Sequence, residues 1–381
     1  MPKVAHIITR LDFGGAQANT LYTASHLDAS RFDAFIITGR GGRLDPRAGR
    51  VRLLYAENLV HPIDPLRDIS AFFELRALLR RERPDIVHTH SSKAGIIGRL
   101  AAAAAGVPVV VHTFHGFGFH PRQNFLVRAF YILLERLCAA MSSALVFVSR
   151  SNMATARAAG IGDPGRYRLI RSGVKLAGYP AKTDRAAKRA ELGLAAGDLV
   201  VLSIGNAKPQ KNPGDFIEAA ARLAPSRPGV KFVFVGGGGQ LEDLRARVLA
   251  RGLADRCIFT GWRDDSAELL AVSDIFALTS LWEGLPRALV EALRTGLPAV
   301  CYATDGVTDI LADGVNGFPV PQGDPGAFCA ALARLLDDAG LRAKLAEGAS
   351  ATALADFDID YMVRQQEELY TALLAAREKN E

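Results

Sequence analysis

The chain has 381 residues, of which 49% are hydrophobic and 23% charged, and it carries a formal net charge of +6. That length allows two or three domains, each able to bury its own core, and the composition excludes a disordered chain. Four cysteines, Cys138, Cys257, Cys301 and Cys329, show no CxxC spacing, so neither a disulfide framework nor a cysteine zinc site is suggested, and a reducing compartment is expected.

The first stretch, MPKVAHIITRLDFGG, lacks the charged start, apolar core and cleavage site of a signal peptide. No apolar run approaches the length needed to cross a bilayer, so a cytoplasmic location is expected. Charge is unevenly divided: residues 1–180 carry 24 Lys and Arg against 12 Asp and Glu, and residues 181–381 carry 22 against 28. A basic half suits an anionic membrane surface or a phosphorylated substrate. Without a long Lys/Arg run or interleaved aromatics, no nucleic-acid partner is expected.

In chain order, short β-branched runs alternate with helical patterns. VAHII, FDAFIIT, DIVHTH, VPVVVHTF and ALVFVS read as strands, with helices expected over 16–29, 68–82, 93–105 and 121–141. A polar connection at about 177–196 interrupts the alternation. It resumes with DLVVLSIG, KFVFVGGGG, CIFTG, DIFALTS and LPAVCY, and a helix over about 358–379 ends the chain. The pattern is α/β, two doubly wound domains in tandem, with a ligand cleft expected where the carboxyl ends of the strands face each other. The expected domains are 1–176, 177–357, and a closing helix 358–381 that packs back on the first domain.

The motifs follow the same order. Gly14 and Gly15 open a helix after the first strand, where backbone and free N–H groups can approach an anion. They lack GxGxxG spacing, so an ordinary strand-to-helix turn explains them equally well. His112, His115 and His120 lie in one segment without carboxylates placed to complete a metal site. His115 stands at a strand end before Gly116, a cleft position, although a histidine there is also a common structural hydrogen-bonding group. Phe114, Phe117, Phe119 and Phe125 are expected mostly as core, with an interfacial patch as the alternative. IGNAKPQKNPGDFIEAA puts Lys208 and Lys211 on a loop at the mouth of a parallel sheet, where ammonium groups suit a diphosphate; a solvated loop is the plain alternative. Gly236 to Gly239 read as a tight turn.

The most informative stretch is SLWEGLPRALVEALRTGLPAV, residues 280–300. Pro286 suits the first position of a helix running to about 295, with Gly296 as its stop. Ala288, Leu289, Ala292 and Leu293 form its apolar face and Glu291 lies at the edge. Surface pairing of Glu291 with Arg287 and Arg294, and capping by Glu283 of a helix start from Ser280, form the structural alternative. That alternative leaves Trp282 and the Gly284-Leu285-Pro286 turn unexplained.

With Glu283 and Glu291 in an E-x7-E arrangement, this stretch closely resembles the signature of retaining GT-B glycosyltransferases of family 4. The likeness extends to Gly14-Gly15, HTHSSKAGIIGRLAAAAAGVPVVVHTFHG, the IRSGVK hinge segment, the Lys211 loop and DGVNGFPV. The resemblance implies a GT-B fold, two doubly wound Rossmann-like domains facing a central cleft, the first taking the acceptor and the second the nucleotide-sugar donor. It implies that Glu291 accepts from ribose hydroxyls and Glu283 from the donor sugar, with Gly284, Leu285 and Pro286 contacting sugar or phosphate. Lys211 neutralises the leaving diphosphate, Gly14 and Gly15 approach the phosphates, His115 meets the transferred sugar, and the base lies near Gly261 to Arg263. Three positions depart from the pattern. Asn206 replaces the usual arginine, which leaves Lys208 to assist Lys211; Lys175 replaces the hinge aspartate; and ATDGVTDIL is a compressed form of a Gly-Gly-x-x-Glu loop, with Asp309 near the acidic position.

The implied reaction is transfer of a hexose, with retention, from a UDP-sugar to a saccharide or lipid-diphosphate-linked saccharide in bacterial envelope polysaccharide assembly. No metal or other cofactor is expected, and catalysis would rest on His115, Lys211 and Glu283. The expected location is the cytoplasm, with peripheral contact at the cytosolic face of the inner membrane. A nucleotide-sugar epimerase of the same fold and a non-catalytic nucleotide-sugar-binding subunit are the alternatives.

Overall fold

Apolar, β-branched runs buried on both faces dictate parallel sheets, and the computed structural model, which describes residues 1–120 and 123–379, contains two of them. The chain divides into two units, one formed by Met1–Gly173 together with the segment from Asp356 onward, the other by Val174–Ala355.

In the first unit β1 (Lys3–Ile8), β2 (Asp33–Thr38), β3 (Arg52–Tyr55), β4 (Ile86–His90), β5 (Val109–Phe114), β6 (Ala144–Phe147) and β7 (Tyr167–Leu169) form one sheet in the order β3-β2-β1-β4-β5-β6-β7. The paired strands run parallel. Helices α1 (Gly15–His26), α2 (Pro65–Glu82), α3 (Ser92–Ala105), α4 (Phe125–Ala140) and α5 (Arg150–Ala158) make the crossovers. The helix expected from 121 begins at Phe125, where the Asn124 side chain accepts from the Leu126 amide; its expected first two residues lie outside those described.

The second unit follows the same plan. Helix α6 (Arg185–Glu191) precedes β8 (Leu199–Ile204), α7 (Pro213–Leu223), β9 (Val230–Val235), α8 (Leu241–Ala250), β10 (Cys257–Gly261), α9 (Ser266–Ala271), β11 (Ile275–Leu278), α10 (Arg287–Arg294), β12 (Ala299–Tyr302), β13 (Gly317–Val320), α11 (Pro325–Asp337) and α12 (Ala339–Ser350). Its strand order is β10-β9-β8-β11-β12-β13. In both sheets the order reverses beside the unit's first strand, between β1 and β4 and between β8 and β11. Such reversal points open a crevice at the strands' carboxyl ends, where ligands bind in doubly wound proteins.

Helix α13 (Ile359–Glu378) closes the chain on the first unit. The Asp358 carboxylate caps it by accepting from the amides of Asp360 and Tyr361, and its Met362, Val363, Leu369 and Tyr370 join the core beside β1, β4, β5 and β6. The boundaries fall at Val174 and Asp356 rather than at 177 and 358. The β3, β7 and β13 segments were not anticipated as strands; each is short and lies at a sheet edge, where Arg52, Arg168 and Pro319 are tolerated.

Candidate active site

At the reversal point of the second unit, the loop after β8 and the loop after β11 are laced together. The Leu281 amide donates to the Gln210 carbonyl at 2.8 Å, Gln210 Nε2 donates to the Trp282 carbonyl at 2.8 Å, and the Thr279 hydroxyl donates to the Asn212 carbonyl at 2.8 Å. This lacing brings Lys211 and Glu283, 72 residues apart, into a direct ion pair in which Nζ donates to Oε1. Glu283 is buried and the Lys211 side chain is 20% exposed, so the ammonium stays reachable from solvent. The lysine stem lies along Gly205, where a Cβ would sit 3.4 Å from Lys211 Cδ. Asn206 lies in the same loop after β8, and Lys208 is exposed there.

The run Gly236 to Gly239 does more than turn the chain. A Cβ on Gly236 would lie 2.0 Å from the Gly205 carbonyl oxygen, and one on Gly238 would lie 2.6 Å from the Ala207 oxygen. The loop after β9 therefore presses its backbone against the lysine loop, and only glycine permits that approach.

Helix α10 begins at Arg287, and Pro286 is its N-cap at φ −77° and ψ 96° rather than its first helical residue. Glu283 caps nothing at Ser280; it turns toward Lys211. Gly284, Leu285 and Pro286 are buried in the turn between Glu283 and the helix. Glu291 sits on α10 with its side chain 12% exposed, accepting a hydrogen bond from the Tyr179 hydroxyl and standing 4.0 Å from Arg287. Burial raises its pKa above the ordinary carboxylate range, opposed by Arg287 and by the Tyr179 hydrogen bond. Of the two surface pairs in the structural alternative, the one with Arg287 is present, whereas Arg294 reaches the Leu176 carbonyl instead.

Sequence reading missed Asp305. Its Oδ2 accepts from the Glu283 amide at 2.8 Å, and its backbone is left-handed at φ 31°. A Cβ on the following Gly306 would lie 2.4 Å from the Gly284 oxygen, so this turn is pressed against the Glu283 loop. Burial pushes the Asp305 carboxyl up to about 6; the Glu283 hydrogen bond opposes this and the Glu283 charge adds to it. Within ATDGVTDIL the acidic position was expected near Asp309. Arg263, expected near the base, donates from Nε and Nη2 to Asp265 at 2.7 and 2.5 Å and from Nη2 to Glu191 at 2.5 Å. Its charge is spent within that carboxylate cluster, so backbone is what this segment offers a ligand.

The first unit holds the remaining expected residues. Gly14 is the N-cap of α1, which begins at Gly15; that end carries no side-chain cap and no acidic residue in its first turn. Its free amides therefore remain available to an anion. His115, just after β5, is partly buried, and its Nε2 lies 3.2 Å from His90 Nδ1. Desolvation lowers its pKa to about 4, so the ring is neutral at physiological pH. His112 is structural: it is packed under Gly95 of α3 and bonds the Thr89 hydroxyl through Nδ1 at 2.9 Å. Phe114, Phe119 and the partly buried Phe117 form core as expected, whereas Phe125 is 74% exposed.

The second unit is thus doubly wound and holds a buried glutamate paired with a lysine, with a second glutamate eight residues on, in the stretch that resembles the family 4 signature. Comparison with known proteins agrees. The "Glycosyl transferase 4-like domain" family matches residues 14–173, and "Glycosyl transferases group 1" matches residues 184–352. The UDP-Gal:alpha-D-GlcNAc-diphosphoundecaprenol alpha-1,3-galactosyltransferase of Escherichia coli is 35% identical over 341 residues, covering 88% of both chains. EpsD of Bacillus subtilis, described as a glycosyltransferase, is 28% identical over 82% of this chain and 83% of its own. Among solved structures, Anabaena HepE in complex with UDP and glucose superposes with a TM-score of 0.83 at 22% identity, over 97% of this chain and all of that one; at that identity the likeness speaks for the fold. The chain belongs to family 4 of the GT-B glycosyltransferases. It is a hexosyltransferase that draws on a nucleotide-sugar donor.

Proposed function

We propose that the protein transfers a hexose from a UDP-sugar, with retention of anomeric configuration and without a metal ion, to a lipid-diphosphate-linked saccharide. The observation that carries this reading is the Lys211–Glu283 pair at the reversal point of the second sheet, with Glu291 on the helix that follows Glu283. Glu291 takes the ribose hydroxyls and Glu283 the sugar hydroxyls, while the Lys211 ammonium meets the diphosphate. Asn206, Lys208, Gly284, Leu285, Pro286 and the backbone at Arg263 complete the donor contacts of the second unit, while for the first unit the family resemblance assigns the Gly14-Gly15 turn to the diphosphate and His115 to the transferred sugar. In the reaction the bond from the anomeric carbon to the phosphate oxygen breaks, and its electron pair stays on the diphosphate. The acceptor oxygen bonds the same face of that carbon, and its proton passes to a diphosphate oxygen. Charge grows on the leaving group, so a fixed cation there stabilises the transition state more than the ground state. The choice of UDP and of a diphosphate-lipid acceptor draws on the E. coli relative's substrates and on HepE's bound UDP.

The test is transfer from UDP-galactose and other UDP-hexoses to a GlcNAc-diphosphate-lipid in the presence of EDTA, with the product linkage read by NMR. An α-linked product formed in EDTA is expected from α-configured donors. A β-linked product, activity that returns only with a divalent ion, or isomerised donor without transfer would each overturn a stated part of the proposal.

Donor binding through Glu291 depends on pH. Its burial favours the protonated form, whereas ribose hydroxyls bind best to the carboxylate, so affinity is lost as pH falls through its raised pKa. Calorimetric titration with uridine, which carries no titrating phosphate, should show affinity falling as the pH is lowered from 7.5 toward and through the carboxylate range, and Glu291→Gln should flatten the dependence. A wild-type affinity that is constant over this range would count against the ribose role.

Membrane contact at the cytoplasmic face is the second part of the proposal. Among the described residues no helix is long and apolar enough to cross a membrane. Helices α2 and α4 both pack against α3, and both leave apolar side chains in solvent: Leu66 (78% exposed), Ile69 and Phe73 on α2, and Phe125, Leu126, Phe130 and Leu137 on α4. Exposed arginines accompany them, Arg67, Arg80 and Arg81 on α2 and Arg128 and Arg136 on α4. Apolar side chains rimmed by arginine suit the interface of an anionic bilayer, where each basic residue contributes about 1 kcal/mol. Sedimentation with phosphatidylglycerol vesicles should deplete the protein from solution, and Phe125→Ser with Phe130→Ser should restore it. Equal partition of wild type and variant would remove this surface from the account.

A further inference from the structure

Two neighbouring strands of the first unit, β1 and β4, bring histidines to one face of the sheet. His6 on β1 is in register with His88 on β4, His90 lies two residues beyond on the same face, and Thr113 of β5 is in register with His90. All three of these histidines are buried under α13 and α1. His6 Nδ1 lies 3.0 Å from His90 Nε2, and His90 Nδ1 lies 3.2 Å from His115 Nε2. His88 stands outside this chain: its Nδ1 lies 2.5 Å from the Tyr370 hydroxyl and its Nε2 2.7 Å from the Thr113 hydroxyl, and its ring lies 4.3 Å from that of His90.

The string has one closed end and one open end. His6 Nε2 is buried and has no hydrogen-bond partner, whereas the other end is the partly buried His115 that is expected to meet the donor sugar. Burial disfavours the charged form of each ring, so each holds one proton, and each link needs one N–H and one lone pair. Only two arrangements satisfy both links. In one, His6 Nδ1–H donates to His90 Nε2 and His90 Nδ1–H donates to His115 Nε2. In the other the direction is reversed, and the last proton sits on His6 Nε2 as a buried N–H without an acceptor, the rarer kind of buried defect.

We infer that His6 and His90 are positioning residues that lock His115 as its Nδ1–H tautomer, so that it presents a hydrogen-bond donor, not a base, to an oxygen of the bound sugar nucleotide. This rests on the proposed donor role of His115. Imidazole free in water favours the Nε2–H form, so the lock runs against the intrinsic preference and is visible spectroscopically. A metal ion held by His6, His88 and His90, whose ligand atoms lie within 4.8 Å of one another, fits less well. Both His88 nitrogens are already engaged, and the only unpartnered nitrogen among the three rings is His6 Nε2.

The test is long-range ¹H–¹⁵N NMR on the full chain labelled at histidine, assigned with single His→Gln variants. His6, His90 and His115 are expected as neutral Nδ1–H rings from pH 6 to 8. In His6→Glu, which supplies an acceptor at the closed end, His115 should switch to Nε2–H. If that variant does not fold, His90→Phe serves instead, and its His115 should become a mixture of tautomers. Turnover gives the second readout. His115→Asn places an amide N–H near the position of Nδ1 and should keep turnover within about tenfold of wild type, whereas His115→Gln should lose about a hundredfold. An Nε2–H signal for wild-type His115, its protonation above pH 6, Gln outperforming Asn, or stoichiometric zinc uptake that shifts the His6 and His90 signals would overturn the inference. The tautomer is read without substrate, so failure of the transfer assay with an Nδ1–H His115 would count against the enzyme reading alone, and transfer with an Nε2–H His115 against this inference alone.

Discussion

Replacing Lys211 by alanine should lower kcat by about two to three orders of magnitude, the usual loss when one fixed group stabilising transition-state charge is removed. Lys211 has no function in the core, since its side chain is 20% exposed at the mouth of the sheet, so the fold of its unit should survive. Removal also strands Glu283, a buried carboxylate whose cationic partner is gone, and part of the loss would come through that residue rather than through the diphosphate. The two contributions can be separated. Lys211→Ala combined with Glu283→Gln removes the stranded charge, and if Lys211 acts on the leaving group this double variant should remain as slow as the single one. Recovery of turnover in the double variant would mean that the lysine serves only to neutralise Glu283. Steady-state kinetics with thermal melts as a control decides between them.

The second large effect is on stability. Arg99 of α3 is fully buried and donates from Nη2 to Glu135 of α4 at 2.5 Å and from Nε to the Gly95 carbonyl at 2.7 Å. Its guanidinium also lies 5.9 Å from the Phe114 ring centre. Breaking a buried pair by removing one partner leaves an uncompensated charge, so Glu135→Ala should destabilise the first unit by about 3–5 kcal/mol, with its melting transition lowered by roughly ten degrees. Replacing both residues, Arg99→Met with Glu135→Leu, removes the charge together with its desolvation penalty and should recover most of that loss. Amide hydrogen exchange in α3 and α4 assigns the change to this unit. A single variant as stable as wild type would mean that the arginine finds another anion or reaches water.

The doubly wound architecture was legible because each βα repeat writes its own local signature, a β-branched run followed by a helical one. The edge strands β3, β7 and β13 were not, because an edge strand needs little apolar burial and tolerates arginine and proline. Glu283, Glu291 and Lys211 stood out in the sequence by their spacing and loops, and their donor roles were implied only by the family resemblance. Asp305 was not, because its hydrogen bond to the Glu283 amide joins loops 22 residues apart, and no local pattern encodes that contact. The histidine string had a signal that went unused: VAHII and IVHTH carry imidazoles at inward-facing positions of central strands, where an unpaired polar group is costly. Phe125 illustrates the converse, since an aromatic helix start has the same composition whether it faces a core or a bilayer.

In the proposed function Glu291 and Lys211 hold the nucleoside diphosphate of a sugar donor. Calorimetric titration of UDP into wild type and Glu291→Ala tests it most directly. Wild type should bind UDP in preference to GDP and ADP, and the variant should bind it about ten- to a hundredfold more weakly, as expected when hydrogen bonds to a charged acceptor are lost. Equal affinity of the two proteins for UDP, or no nucleotide binding by wild type, would contradict the claim.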